Sequence, residues 1–247
     1  MSHQRYVSRE LTHFVGSGLR NPSATPAEIH ERQYRLLVAI LRQGILGQFS
    51  DSNYVVTFSG EGRETKLSSN KKYSGQMVCF CDIPVEDLPL HMKKYSQFGL
   101  AFSKEFLTCN GATPLLYVCE NSLVKNTWNN PSSVAECNRL IPLKEVFDNY
   151  DEDWYRLVDV KPRNQTLSDM HVTVQRLLHS HLKFFDSMKN EDDNDHFYME
   201  REWRVMGTVR FTLDDIVRVI LPPSFAKRLR QDLPEYCAQL TFSAEAI

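Results

Sequence analysis

Short apolar runs at irregular spacing most restrict what this chain can fold into. Met77-Val78-Cys79-Phe80-Cys81, Phe98-Gly99-Leu100-Ala101-Phe102, Thr113 to Cys119, Glu200 to Met206, Ile216 to Leu221 and Ala238 to Phe242 each have the length and composition of a strand. They are not separated by regular helical segments, and none leads into a glycine-rich phosphate loop. A doubly wound parallel fold needs that alternation. The spacing therefore predicts an α+β fold with a mixed or antiparallel sheet and flanking helices.

One helix is signalled with particular clarity. Thr25 and Glu28 make a Thr-x-x-Glu capping box, Pro26 suits the first helical position, and Gly44 is a natural stop. Ile29, Leu36, Leu37, Ile40 and Leu41 form its apolar stripe. Further helices are expected from Pro84 to about Tyr95, over Lys104 to Thr108 behind a Ser103 cap, within 120–150, and from Phe225 to Leu233. An amphipathic helix is also expected from Leu167 to Phe185, with Met170, Val174, Leu177, Leu178, His181, Leu182 and Phe185 at helical spacing. Arg9 to Gly16, Tyr54 to Phe58 and Asp153 to Val160 read as additional strands. No linker-like segment interrupts residues 1–247, so one domain is expected.

Charge and cysteine usage narrow the function classes. With 29 basic and 31 acidic residues the formal net charge is −2, which argues against a broad nucleic-acid-binding surface. The apolar runs are too short to span a bilayer, and Met1-Ser2-His3-Gln4-Arg5-Tyr6 has no apolar signal core. Six scattered cysteines in a chain that can build its own core point to reduced thiols and a cytoplasmic protein, with no metal site. His171, His179 and His181 lack metalloprotease order, and Asp192, Asp193 and Asp195 lack the spacing and glycine turn of a cation loop. Cys79 and Cys81 read as core, and Asp82 as a helix cap.

The residues that most invite chemistry are Glu200, Glu202 and Arg204. On a continuous strand they share one face, while Arg201, Trp203 and Val205 take the other. Two carboxylates and a guanidinium on one face form either a solvated ion-pair ladder or the wall of an active site.

Several blocks in series carry a family resemblance: Leu11-Thr12-His13-Phe14-Val15-Gly16, Cys79-Phe80-Cys81-Asp82-Ile83-Pro84, His91-x-x-x-Tyr95-x-x-Phe98-Gly99-Leu100, Ser103-Lys104-Glu105-Phe106, Asn110 to Val118, and Glu200-Arg201-Glu202-Trp203-Arg204. On these the chain resembles the AbiGi family of abortive phage-resistance proteins. It departs from the pattern at Tyr95-Ser96, where Tyr-Gly is expected. The resemblance implies a two-gene phage-defence or toxin–antitoxin setting, with a toxin or phage protein as partner.

A second resemblance, to the ADP-ribosyltransferase layout, rests on element order. It comprises a first-strand His, a helix ending in Ile-Leu-x-x-Gly, a central aromatic-Ser strand and a late Glu-x-Glu. It implies an ADP-ribosyltransferase-like core that binds NAD and either transfers ADP-ribose to a nucleic-acid or protein acceptor or hydrolyses NAD. Cleaving the nicotinamide–ribose bond builds positive charge on the ribose, which a carboxylate stabilises. In that scheme Glu202 is the catalytic carboxylate and Glu200 holds or deprotonates the acceptor. His13 binds the adenine-side ribose and the nicotinamide amide. Gly16, Tyr95, Phe102, Ser103 and Arg204 line the cofactor site. Each has a plainer account: His13 as a strand histidine bonded to backbone, Phe102 as core, Ser103 as a cap, Arg204 as a counter-ion. The alternative function is a non-enzymatic antitoxin or sensor.

Overall fold

The computed structural model describes residues 8–19, 23–47, 77–119, 180–190 and 196–243, together with positions 70, 149, 169, 170, 172–174, 177 and 193. In chain order the described strands are β1 (Glu10–Phe14), β2 (Ile45–Leu46), β3 (Met77–Cys81), β4 (Gly99–Ser103), β5 (Thr113–Pro114), β6 (Leu116–Cys119), β7 (Leu182–Phe185), β8 (Glu202–Met206), β9 (Val209–Arg210), β10 (Ile216–Leu221) and β11 (Gln239–Phe242). The described helices are α1 (Pro26–Gln43), α2 (Leu88–Lys94), α3 (Lys104–Cys109) and α4 (Pro223–Asp232). These residues fall into two compact units. One draws on 1–51, 76–114 and 200–247, the other on 52–75 and 115–199.

The first unit is built on a seven-stranded sheet of order β11-β10-β4-β1-β3-β8-β5. Only the β10–β11 pair is parallel; every other neighbouring pair is antiparallel. The α+β class with a mixed, mostly antiparallel sheet thus holds. Residues directly opposite in a ladder share a face, so the register sorts the side chains. Leu11, Val78, Phe80, Leu100, Phe102, Val205, Val219 and Leu221 turn to one face and form the main core with Tyr34, Leu37, Val38 and Leu41 of α1 and Leu229 of α4. Each such side chain contributes about 1.5–3 kcal/mol by leaving water. The opposite face carries Thr12, Phe14, Cys81, Glu202, Arg204, Arg218 and Ile220. There α2 packs Leu88 and Met92 against Phe14, Cys81 and Ile220. Farther along, Arg218 forks onto Glu10 with two bonds of 2.7 Å.

Helix α1 starts and stops as its signals predict. Thr25 accepts from the Glu28 amide, and Glu28 accepts from the Thr25 amide. Gly44 takes φ 65° and donates to the Ile40 carbonyl. A Cβ at Gly44 would lie 2.4 Å from the Phe211 carbonyl oxygen, so both the backbone angle and the space demand glycine. The buried face is rotated from the expected stripe. Gln33, Tyr34, Leu37, Val38 and Leu41 are inside, while Leu36 is 37% exposed. Gln33 tolerates burial because its amide donates to the Gly16 carbonyl at 3.0 Å.

Two expected elements change type. The run Thr113 to Cys119 is not one buried strand: it breaks at Leu115. Thr113 and Pro114 pair with β8 at the sheet edge, where a proline without an N–H fits. Leu116–Cys119 instead pairs in parallel with β7. The helix expected to run to Phe185 gives way to strand at Leu182, because Leu182, Lys183, Phe184 and Phe185 alternate buried and half-buried, a period of two rather than 3.6. Met170 and Leu177, on the expected apolar stripe, are 58% and 57% exposed. In this second unit Asn70 clasps Phe184 from both sides, donating to its carbonyl and accepting from its amide. The strands expected at Tyr54–Phe58 and Asp153–Val160 and, position 149 apart, the helix expected in 120–150 lie outside the described residues, as do Asp192, Asp195, His171 and His179.

Candidate functional site

The strand carrying the acidic ladder begins later than the alternation implies. Residues Phe197–Glu200 form a 3-10 turn, and Arg201 is left-handed at φ 44°. β8 therefore opens at Glu202, and Glu200 and Glu202 are not successive rungs of one strand face. A left-handed non-glycine residue costs about 1–2 kcal/mol. It is held here because the Arg201 carbonyl accepts from the Asp82 amide at 3.1 Å.

Both carboxylates are nonetheless buried and both have close internal partners. Glu202 and Arg204 do share a face, as expected. Arg204 donates through Nε at 2.7 Å and through a terminal nitrogen at 3.3 Å, and the two side chains are only 8% and 12% exposed. Burial pulls the Arg204 pKa down, but Glu202, and after it Cys79, together more than offset this and the net shift is upward. Glu200 accepts from Lys94 Nζ at 2.9 Å and from the Tyr95 hydroxyl. Tyr95 follows the end of α2. Its ring stacks on Phe14 at 5.8 Å and near His91 at 6.4 Å. Burial first, then Glu200, holds its phenol well above the usual tyrosine range. Cys81 lies beside these groups, and burial pushes its thiol up to about 12, which leaves it protonated and a poor nucleophile.

His13 is elsewhere. Thr12 pairs with Cys81, and Cys81 with Glu202, so these three share a face. His13, one residue on, projects to the other. Its ring tilts against Phe80 at 5.7 Å, and Nδ1 donates to the Cys79 carbonyl at 2.8 Å. Burial lowers the His13 pKa, partly opposed by that bond. The structure thus brings Tyr95, Glu200, Glu202 and Arg204 to one side of the sheet and leaves His13 on the other.

The remaining expected residues have structural employment. Gly16, at φ 75°, sits where a Cβ would meet Gln33 Cγ at 2.9 Å, so it admits α1 to the end of β1. Phe102 is fully buried among Phe80, Phe106 and Phe211. Ser103 caps α3 by accepting from the Phe106 amide. Asp82 does not cap the helical segment after Pro84. Its side chain instead accepts from Lys104 Nζ at 2.7 Å, with Arg201 at 3.8 Å. Lys94 had no motif to mark it, and Asp82 and Lys104 stood only in the family-like blocks with no charge-pairing role read from them; tertiary pairing shows their part. Among the described residues no group of three or more His, Cys, Asp or Glu could hold a metal ion. No helix among them is long and apolar enough to cross a membrane.

A family model described as abortive phage resistance protein AbiGi, antitoxin, matches residues 53–237, well over half of the chain. The chain belongs to the AbiGi family. A curated relative from Lactococcus lactis subsp. cremoris, named abortive phage resistance protein AbiGi, is 32% identical over 69 residues, covering 26% of this chain and 28% of the relative. The chain thus matches well under half the length of that relative. No solved structure matches. Within the AbiGi span lie Cys79 to Pro84, Tyr95, Lys104 and the Glu200–Arg204 stretch, whereas His13 and Gly16 fall before it. The part of the chain that places it in AbiGi thus includes the buried carboxylates and their partners.

Proposed function

We propose that this chain serves abortive phage resistance as an antitoxin-type protein that binds a toxin partner, without turning over NAD. The observation that carries this is the internal neutralisation of the two acidic residues best suited to catalysis. Glu202 is paired with Arg204, and Glu200 with Lys94 and Tyr95, all at low exposure. A carboxylate that stabilises a developing ribose cation does so with its charge available to substrate; here a guanidinium 2.7 Å away already takes that charge. The family description, which includes the word antitoxin, supports the same reading.

The competing proposal is an ADP-ribosyltransferase-like core that binds NAD through His13 and splits it beside Glu202. It has in its favour the convergence of Tyr95, Glu200 and Glu202 on one side of the sheet. Against it, one NAD cleft must serve both His13 and Glu202, which the register sends to opposite faces. The deciding experiment co-expresses the chain with the neighbouring gene of its operon and, separately, assays nicotinamide release by the purified protein. Antitoxin action predicts that the chain rescues growth from the neighbouring gene product, that the two proteins co-purify, and that no nicotinamide is released. Nicotinamide release abolished by Glu202→Gln, with no rescue, would overturn it.

A further inference from the structure

The seven-stranded sheet ends on β11, which is bonded along one edge only, in parallel to β10. The Ser243 amide donates to the Leu221 carbonyl, so the odd-numbered residues of this stretch turn their backbone groups toward β10. By the two-residue repeat of a strand, Leu240 and Phe242 turn theirs outward. Among the described residues nothing meets those N–H and C=O groups. An open edge of this kind is a template for a further strand, and proteins commonly blunt it with charge, proline or a bulge. The opposite edge of the sheet has that protection: β5 is two residues long and contains Pro114. β11 has none of it. Residues 236–243 carry no charge and no proline, and the register with β10 is unbroken. Leu240 stands beside Val219 and packs against the main core, and Phe242, on the same face, is 55% exposed. On the other face the Thr241 hydroxyl accepts from Arg218.

We infer that β11 is the contact through which two copies of this chain form a symmetric dimer, the two strands running antiparallel about a two-fold axis at Thr241. Within Gln239–Phe242 only this register sets Leu240 opposite Phe242 of the second copy and Phe242 opposite its Leu240, so that every outward backbone group of β11 gains a partner. An axis at Leu240 would instead bring Phe242 opposite Ala238, whose carbonyl already accepts from Arg230. With the axis at Thr241, each exposed Phe242 ring lies across from a half-buried Leu240, and the apolar face of one sheet continues into the other. Thr241 meets its own counterpart at the axis, and no like charges oppose each other along the strands. An isologous interface requires that self-complementarity. β11 lies beyond residue 237, where the AbiGi match ends, so this contact is separate from the residues that place the chain in the family. It does not depend on the toxin-binding proposal.

The test follows the mass of the full-length protein by sedimentation as its concentration is raised. A reversible monomer–dimer equilibrium is expected, with a dissociation constant on the order of 10 µM, as suits a small strand-edge interface. Phe242→Asp should raise that constant about tenfold or more, since each dimer loses two apolar contacts and gains a carboxylate beside each Leu240. Phe242 is exposed in the single chain, so the variant is expected to fold. Hydrogen exchange supplies a readout on the unaltered protein: the Leu240 and Phe242 amides should become protected as concentration rises through the dissociation constant. Thr241→Cys supplies a third. Opposed residues of a non-hydrogen-bonded pair stand about 4.5 Å apart at Cα, within disulfide reach, so oxidised glutathione should yield a dimer linked through position 241, located by peptide mapping. A protein that stays monomeric up to about 200 µM, or a dimer unchanged by Phe242→Asp and not linked through position 241, would overturn the inference. So would edge amides protected only by the neighbouring gene product, which would assign the edge to a strand of that partner.

Discussion

His13 and Glu202 belong to strands separated only by β3, yet they project from opposite faces of the same sheet, because Thr12, Cys81 and Glu202 stand in line across the ladders and His13 is one residue out of phase. That single-residue offset divides the expected catalytic pair. It gives Glu202 to Arg204 and His13 to the backbone of β3.

Replacing Glu202 by Gln removes the charge opposite a buried guanidinium. The expected effect is on folding: a loss of about 3–5 kcal/mol in urea unfolding. In a double-mutant cycle with Arg204→Met, the coupling should exceed about 1 kcal/mol. Unchanged urea midpoints in both single variants would show that the pair contributes nothing to stability.

Tyr95→Phe keeps the ring that stacks on Phe14 and deletes only the hydroxyl that donates to Glu200. The predicted cost is about 1–3 kcal/mol from a buried carboxylate short of one donor, with the denaturant m-value unchanged because no surface is opened. A change in m-value would show that the phenol organises more than this contact.

His13 sets a pH dependence whose sign follows from its environment. Its folded pKa is depressed by burial below the ordinary value of 6.5. Above that ordinary value the ring is neutral in both states and its stabilisation is fully present. As pH falls, the unfolded chain binds the proton first, and stability drops until the pH passes below the folded pKa. Urea midpoints measured from pH 7.5 to 5 should therefore decline, and His13→Gln should flatten part of that decline. A variant with the wild-type slope would remove His13 as the cause.

Gly44→Ala imposes a Cβ on a left-handed residue 2.4 Å from the Phe211 carbonyl oxygen. The strain of the backbone angle alone costs about 1–2 kcal/mol, and the contact adds to it. Thr25→Ala at the other end of α1 should cost about 1 kcal/mol by freeing the Glu28 amide. Thermal unfolding of the two variants should rank Gly44→Ala as the less stable, and the reverse order would contradict the left-handed cap.

Local chemistry was legible where one or two neighbouring residues decide the outcome. The caps of α1, the Ser103 cap and the strands at 77–81, 99–103 and 216–221 follow from side chains that bond or alternate within a few positions, so no distant contact is needed to produce them. The Glu202–Arg204 pair was visible for the same reason. What tertiary structure decided is which face each alternating run presents and where it stops. Arg201 is held left-handed as the Asp82 amide, just past the end of β3 and over a hundred residues earlier, donates to its carbonyl, and this breaks the ladder between Glu200 and Glu202. The strand after Pro114 pairs instead with Leu182–Phe185, and Met170, Val174 and Leu177 of the expected stripe stay exposed. The partners of Glu200 and Asp82 come from α2 and α3. Alternation specifies that two faces exist, while register between strands distant in sequence assigns residues to them.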